Sequence, residues 1–228
     1  MILLLQLTRG AVTKRKKFLK KFLYYFKNGF EDETYIAWER KYKEDAHLKF
    51  KEVLGKKNFS KLLKLKNYKA IVQYAVQIES RTNLLFSFEK MALRDAVKSE
   101  EAAKMFALGL FNYIYGSQAL KERFEAFVEV VQKLPRKQTR VLTWPLVTVF
   151  GFIGNPNEFI FLKPRVTQMA ALKYGFDFQY KSKPNWDTYK SMLDFAELVR
   201  RDTKSMKPKD YIDIQSFIWV IGSDEYED

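Results

Sequence analysis

The chain has 228 residues, 47% of them hydrophobic and 16% aromatic, which is enough apolar material for a sizeable core and too much for a disordered chain. With no cysteine and a single histidine, His47, it excludes disulfides, thiolate zinc sites, a catalytic Cys and any reaction needing two imidazoles. The formal charge is +14 and unevenly placed: residues 1–69 carry 19 basic and 7 acidic side chains, net +12, and residues 70–228 carry 22 and 20, net +2.

Met1 to Leu7 is apolar but precedes the basic run at Lys14 to Lys17, with no small-residue cleavage site after it. That order argues against a signal peptide, and seven residues cannot cross a bilayer, so a cytoplasmic protein is expected. From Lys14 to Lys27 the residues Phe18, Leu19, Phe22, Leu23 and Phe26 recur at helical spacing among lysines. Asn28-Gly29 ends that helix and Asp32 caps the next, which runs to about Leu54 before Gly55. Four opposite-sign i,i+4 pairs lie along it: Glu39–Lys43, Arg40–Glu44, Lys41–Asp45 and Asp45–Lys49.

A short basic helix, Phe59 to Lys66, precedes another over Tyr68 to Ile78, and the apolar density then rises from Leu84 to Val97, a stretch that belongs in the core. Ser99 caps a helix that Gly116 ends, and Gln118 to Leu134 stops at Pro135. Val141 to Ile153 is apolar for 13 residues but holds Pro145, which suits the first turn of a buried helix rather than a membrane span. Glu158 to Leu162 and Tyr174 to Tyr180 have strand-like composition around a helix from Pro164 to Lys173. Helices from Pro184-Trp186 to Ser205 and from Asp210 to Ile221 complete the chain; the last is rich in β-formers, but Pro and Asp precede it and Gly222 follows. The expected fold is a mainly α, single multi-helix globular domain over 1–228, strongly basic in 1–69 and near-neutral in 70–228, with room for a small two-stranded β element in the last third.

The segregated charge points to a polyanionic partner. Lys14, Arg15, Lys16, Lys17, Lys20 and Lys21 on the first helix are placed to neutralise phosphates and release counterions, and Lys56, Lys57, Lys61, Lys64 and Lys66 extend the same field. Arg136, Lys137 and Arg140 form a second cluster; Arg200, Arg201, Lys204, Lys207 and Lys209 form a third. Tyr24, Tyr25, Tyr35, Trp38 and Tyr42 lie among the basic helices, either as base-stacking rings or as the core face of two packed helices.

No GxxxxGK[ST] or GxGxxG motif is present, which disfavours nucleotide hydrolysis and dinucleotide redox chemistry. Glu39, Lys43 and His47 share one helix face as an acid–base set or as a solvated stripe. Glu89 and Lys90 lie in an apolar stretch where burial requires a charge partner. Asp177, Gln179 and Lys181, alternating after Glu158, are similar to a metal-dependent nuclease pattern but have Gln in place of the second acid; only this reading calls for Mg²⁺. Otherwise no cofactor and no metal site is expected.

The segment from Lys207 to Trp219 places Gln215 and Ser216 in an apolar helix, where they need partners, with Asp210 and Asp213 before them. Together with the helix from Tyr189 to Arg201, it resembles the tail of uncharacterised prokaryotic modules associated with restriction-type ATPases, which implies a link to DNA processing, repair or defence. The leading expectation is a nucleic-acid-binding protein, for DNA above all, contacting the phosphate backbone through the basic N-terminal helices. If it is an enzyme, a nuclease or a base-excision (glycosylase-type) activity follows, with Glu39, Glu89, Asp210, Asp213 and Lys163 as candidate catalytic residues. The alternative is a non-enzymatic protein meeting an anionic membrane or an acidic protein. Cys-free composition with high Lys and Glu also fits a thermophilic source.

Overall fold

Phe18, Phe22 and Phe26 recur every four residues, and in the computed structural model, which describes residues 15–227, they form a buried stripe along the first helix, α1 (15–25), and the residue just past its end. Phe22 packs on Phe26, Phe30, Tyr35 and Phe217 with ring centroids 5.0–5.7 Å apart. The N-terminal helix is thereby fastened to the C-terminal one. Gly29 turns the chain with φ +62°, a conformation without strain only for glycine. Asp32 then caps as expected, its Oδ1 accepting the Thr34 N–H at 2.9 Å.

The second helix, α2, joins Glu33–Tyr35, a π-helical turn Ile36–Arg40, and Lys41–Leu54. In a regular α-helix Tyr35 and Arg40, five residues apart, would diverge by roughly 140° around the axis. The π turn, closed by the Lys41 N–H donating to the Ile36 carbonyl, brings both onto the same carboxylate.

The remaining helices are α3 (Lys56–Lys64), α4 (Tyr68–Ser80), α5 (Ser87–Ala96), α6 (Glu100–Tyr115), α7 (Leu120–Lys133), α8 (Trp144–Gly154), α9 (Pro164–Tyr174), α10 (Trp186–Asp202) and α11 (Tyr211–Gly222). Every residue of α8 is buried, which explains its largely apolar sequence, and among the described residues no helix is long and apolar enough to cross a membrane. One cluster of buried apolar side chains runs from Phe18 to Tyr226. Stacked rings carry it between helices, with Tyr113 on Phe127 at 4.6 Å and Phe124 on Tyr189 at 4.4 Å.

The expected two-stranded β element is absent: no strand occurs among the described residues. Residues 159–162 and 176–180 have no regular secondary structure and Tyr174 closes α9; side-chain hydroxyls satisfy these backbones in place of a neighbouring strand. The Tyr189 hydroxyl meets both the N–H and the carbonyl of Ile160 at 3.2 Å. Thr188 Oγ1 donates to the Gln179 carbonyl at 2.7 Å and accepts the Lys181 N–H at 3.0 Å, while Ser191 Oγ accepts the Gln179 N–H at 3.1 Å. The helix α10 thus does the work of a partner strand.

Candidate functional site

The basic helices keep their lysines outward. Lys16, Lys17 and Lys20 on α1 and Lys56, Lys57, Lys61 and Lys64 on α3 are exposed, whereas Lys41 is neutralised by Asp45 at 2.9 Å. Lys14 lies outside the described residues. Arg15 approaches Asp202 at 3.8 Å and Lys21 donates to the Tyr226 carbonyl at 2.9 Å, so both are partly engaged. α1 packs on the start of α2 through Phe22 and Tyr35, and α3 follows the end of α2. Arg136 and Lys137 are exposed in the α7–α8 link, and of that cluster only Arg140 borders the main cleft.

Of the rings among these lysines, Tyr24 and Trp38 are exposed, Tyr35 is fully buried and Tyr42 lines the cleft. The apolar face of α1 is occupied by the core, which removes the face an interfacial membrane helix inserts.

Three of the candidate carboxylates belong to a buried polar network. Arg40 donates from Nη1 to Asp213 at 2.7 Å and to Asp210 at 3.1 Å, and from Nη2 to Asp210 at 2.9 Å and Glu44 at 3.0 Å. The Tyr35 hydroxyl donates to Asp213 at 2.5 Å, and burial beside that carboxylate holds the phenol well above its ordinary pKa. Lys43, fully enclosed, donates to Glu39 at 3.2 Å and to Ser216 Oγ at 2.7 Å. Burial draws its ammonium down, opposed by the Glu39 charge. The Tyr226 hydroxyl closes the network on Glu39 at 2.7 Å. On the face they share with His47, Glu39 and Lys43 are therefore buried and paired rather than solvated, and half-buried His47 donates from Nδ1 to the Ile153 carbonyl at 2.7 Å. Asp210 also caps α11.

Glu89 and Lys163, 74 positions apart in the chain, line one cleft of about 820 Å³, a size that suits a small organic ligand. Three helices begin at its wall: α5 at Ser87, α8 at Trp144 and α9 at Pro164. Among the described residues Glu89 forms no ion pair, contrary to expectation, whereas its neighbour Lys90 pairs with Glu79 at 3.7 Å. Glu89 Oε2 instead accepts the Phe86 N–H at 3.1 Å and Oε1 accepts the Thr143 hydroxyl at 2.8 Å, so a carboxylate ties the starts of α5 and α8 together. At α9 the Lys163 side chain makes no capping bond and Pro164 has no N–H, leaving the Arg165 and Val166 amides without a cap at the cleft.

Lys163 Nζ lies 4.2 Å from the Phe86 ring centroid and 5.3 Å from that of Trp219, and donates weakly to the Leu84 carbonyl at 3.4 Å. Burial lowers its pKa from the ordinary lysine range, with Glu89 and Glu225 pulling the other way. Phe86 and Phe88 stack at the lip, both about half exposed, with centroids 5.5 Å apart. Gln215 and Ser223 also line the cleft; both are more than nine-tenths buried, and Gln215 Oε1 and Ser223 Oγ have no hydrogen-bond partner. A smaller adjoining recess shares Tyr42, Asn83, Trp219 and Glu225 with it and has Glu39 on its wall.

Gly222 makes this geometry attainable: a Cβ there would stand 2.2 Å from the Val166 carbonyl, so only glycine lets α11 close against the start of α9. Of the nuclease-like pattern, Asp177, Gln179 and Lys181 share one shallow surface and Glu158 is not part of it. Glu158 is engaged by Arg123 and Asn155, and Asp177 accepts from Gln179 at 2.8 Å on that surface. No group of three His, Asp or Glu able to hold a metal occurs among the described residues. Phe86, Phe88, Thr143, Trp219 and Ser223 were not singled out from sequence; Pro145 and Pro164 mark helix starts there but not their convergence. No family model, curated protein or solved structure matches this chain.

Proposed function

We propose that the chain binds nucleic acid and takes one unstacked nucleotide into the cleft. The cleft carries this reading, because paired phenylalanine rings at the lip, Trp219 within and the cations Lys163, Arg140 and Arg165 combine base stacking with charge. The exposed lysines of α1 and α3 supply backbone attraction from two helices, which suits a polyanion.

Fluorescence anisotropy with labelled single-stranded and duplex oligonucleotides across a salt series tests it. The triple reversal Lys16→Glu, Lys17→Glu and Lys20→Glu removes three phosphate contacts and should flatten the log–log salt slope by about 2–3. Replacing Phe86 and Phe88 by alanine should weaken single-strand binding by about 1–3 kcal/mol per lost stack while leaving duplex binding nearly unchanged. Unaltered affinity in both variants refutes the reading.

A further inference from the structure

Lys43 and Lys163 are both drawn back from bulk water, and their surroundings differ in kind. Lys43 is sealed, with Glu39 and Ser216 on its ammonium and no path to a ligand. Lys163 opens into the 820 Å³ cleft, forms no ion pair among the described residues and touches two aromatic faces and one carbonyl. An amine without a carboxylate partner in an apolar, ligand-sized opening has the placement of a nucleophile, whereas a lysine retained for stability is held as Lys43 is.

Resting on the nucleic-acid reading above, we infer that Lys163 condenses with the aldehyde of a ring-opened abasic deoxyribose presented in the cleft. In this step the neutral amine adds through Nζ to the C1′ carbonyl carbon, forming a C–N bond and a carbinolamine. The carbinolamine oxygen leaves as water, carrying off the two amine protons, and the C=N bond of an imine remains. No oxidant, metal or further reactant is needed. Protonated, the imine carries the positive charge that the Phe86 and Trp219 faces already accommodate, and buried Glu89 adds a fixed negative charge beside it. The opened sugar presents hydroxyls, and the cleft offers two buried groups with no partner, Gln215 Oε1 and Ser223 Oγ, as acceptors for them. The depressed pKa of Lys163 agrees with this role, raising the neutral fraction near pH 7.

The full chain is mixed with an oligonucleotide bearing one abasic site and treated with sodium borohydride, which reduces an imine to a stable secondary amine. A parallel reaction contains free 2-deoxyribose 5-phosphate, and anisotropy reports oligonucleotide binding separately. The expected result is a covalent protein–oligonucleotide band that peptide mass mapping places on Lys163, and its loss in Lys163→Arg, which keeps the charge but cannot form the imine. Peptide mapping on the unsubstituted chain gives the same answer if that variant fails to fold. Oligonucleotide bound without a trapped band overturns this inference and leaves the binding reading standing. A band mapped to another lysine, or trapping of the free sugar phosphate alone, also overturns it. Failure of both binding and trapping removes the two readings together.

Discussion

Asp213→Asn is the sharpest test of the buried network. Asp213 is fully buried in the first turn of α11 and accepts from Tyr35, from Arg40 and, through Oδ2, from the Lys209 N–H at 2.7 Å. Asparagine keeps the shape and one acceptor oxygen but turns an NH₂ toward a donor, either the Arg40 guanidinium or the Lys209 amide. Removing one member of a buried ion pair costs about 3–5 kcal/mol. Arg40 retains Asp210 at 2.9 Å and Glu44 at 3.0 Å, so the loss belongs at the lower end, about 3 kcal/mol. At this chain length that corresponds to a melting temperature lower by about 6–12 °C. Urea unfolding followed by far-ultraviolet circular dichroism should show the midpoint fall with the slope m unchanged. A loss below about 0.5 kcal/mol, the scale of an ordinary surface substitution, would refute the network as a clamp between α2 and α11.

Two further outcomes are expected. Tyr35, Tyr113, Tyr174 and Tyr189 all have pKa values raised by burial above the ordinary 10.0. The neutral phenols favour the folded state fully below pH 10, and that advantage is lost as the pH climbs through 10 and the unfolded chain ionises first, at up to about 1.4 kcal/mol per pH unit for each. Tyrosinate absorbance at 295 nm should therefore appear together with loss of helical signal; ionisation of all tyrosines at pH 10–11 in a still-helical chain would contradict it. Gly222→Ala places a Cβ against the Val166 carbonyl and should destabilise by about 1–3 kcal/mol. It should also change Trp219 fluorescence, because that ring lines the cleft that α11 and α9 shape; a melt and an emission spectrum matching the parent chain would show that the close approach is not needed.

The helices were legible because their ends carry their own chemistry. Asp32, Ser99 and Asp210 cap where they were expected to, and Pro145 and Pro164 occupy first turns. The start of α5 at Ser87 was not legible, since Leu84 and Leu85 are core residues of the preceding turn and Glu89 fixes the boundary by reaching back to the Phe86 amide. Strand composition misled over 158–162 and 174–180 because the hydroxyls that satisfy those backbones lie 9–29 residues away. Charge was legible in amount and in part of the chain; its placement on the surface depends on how helices pack. Local spacing did capture Glu39–Lys43, Arg40–Glu44 and Lys41–Asp45, but Lys49 pairs with Glu52 rather than with Asp45.

The C-terminal helix explains how a sealed polar network and an open cleft coexist in one core. At 100° per residue, Asp213 and Ser216 of α11 share one face, while Gln215, Trp219 and Gly222 share another roughly 130° away around the axis. The first face meets Tyr35, Arg40 and Lys43 across the π turn of α2; the second lines the cleft beside Lys163. A helix buried on two sides has no solvated stripe, which is why its sequence alternates no more like a helix than like a strand. Its position against α9 is set by Gly222 and its position against α2 by Asp213. The carboxylates that looked catalytic are thus the anchors of the wall against which the cleft residues are held. Asp210 and Asp213 act on the cleft through the placement of Gln215 and Trp219, and Glu89 and Lys163 are the candidates that open onto it.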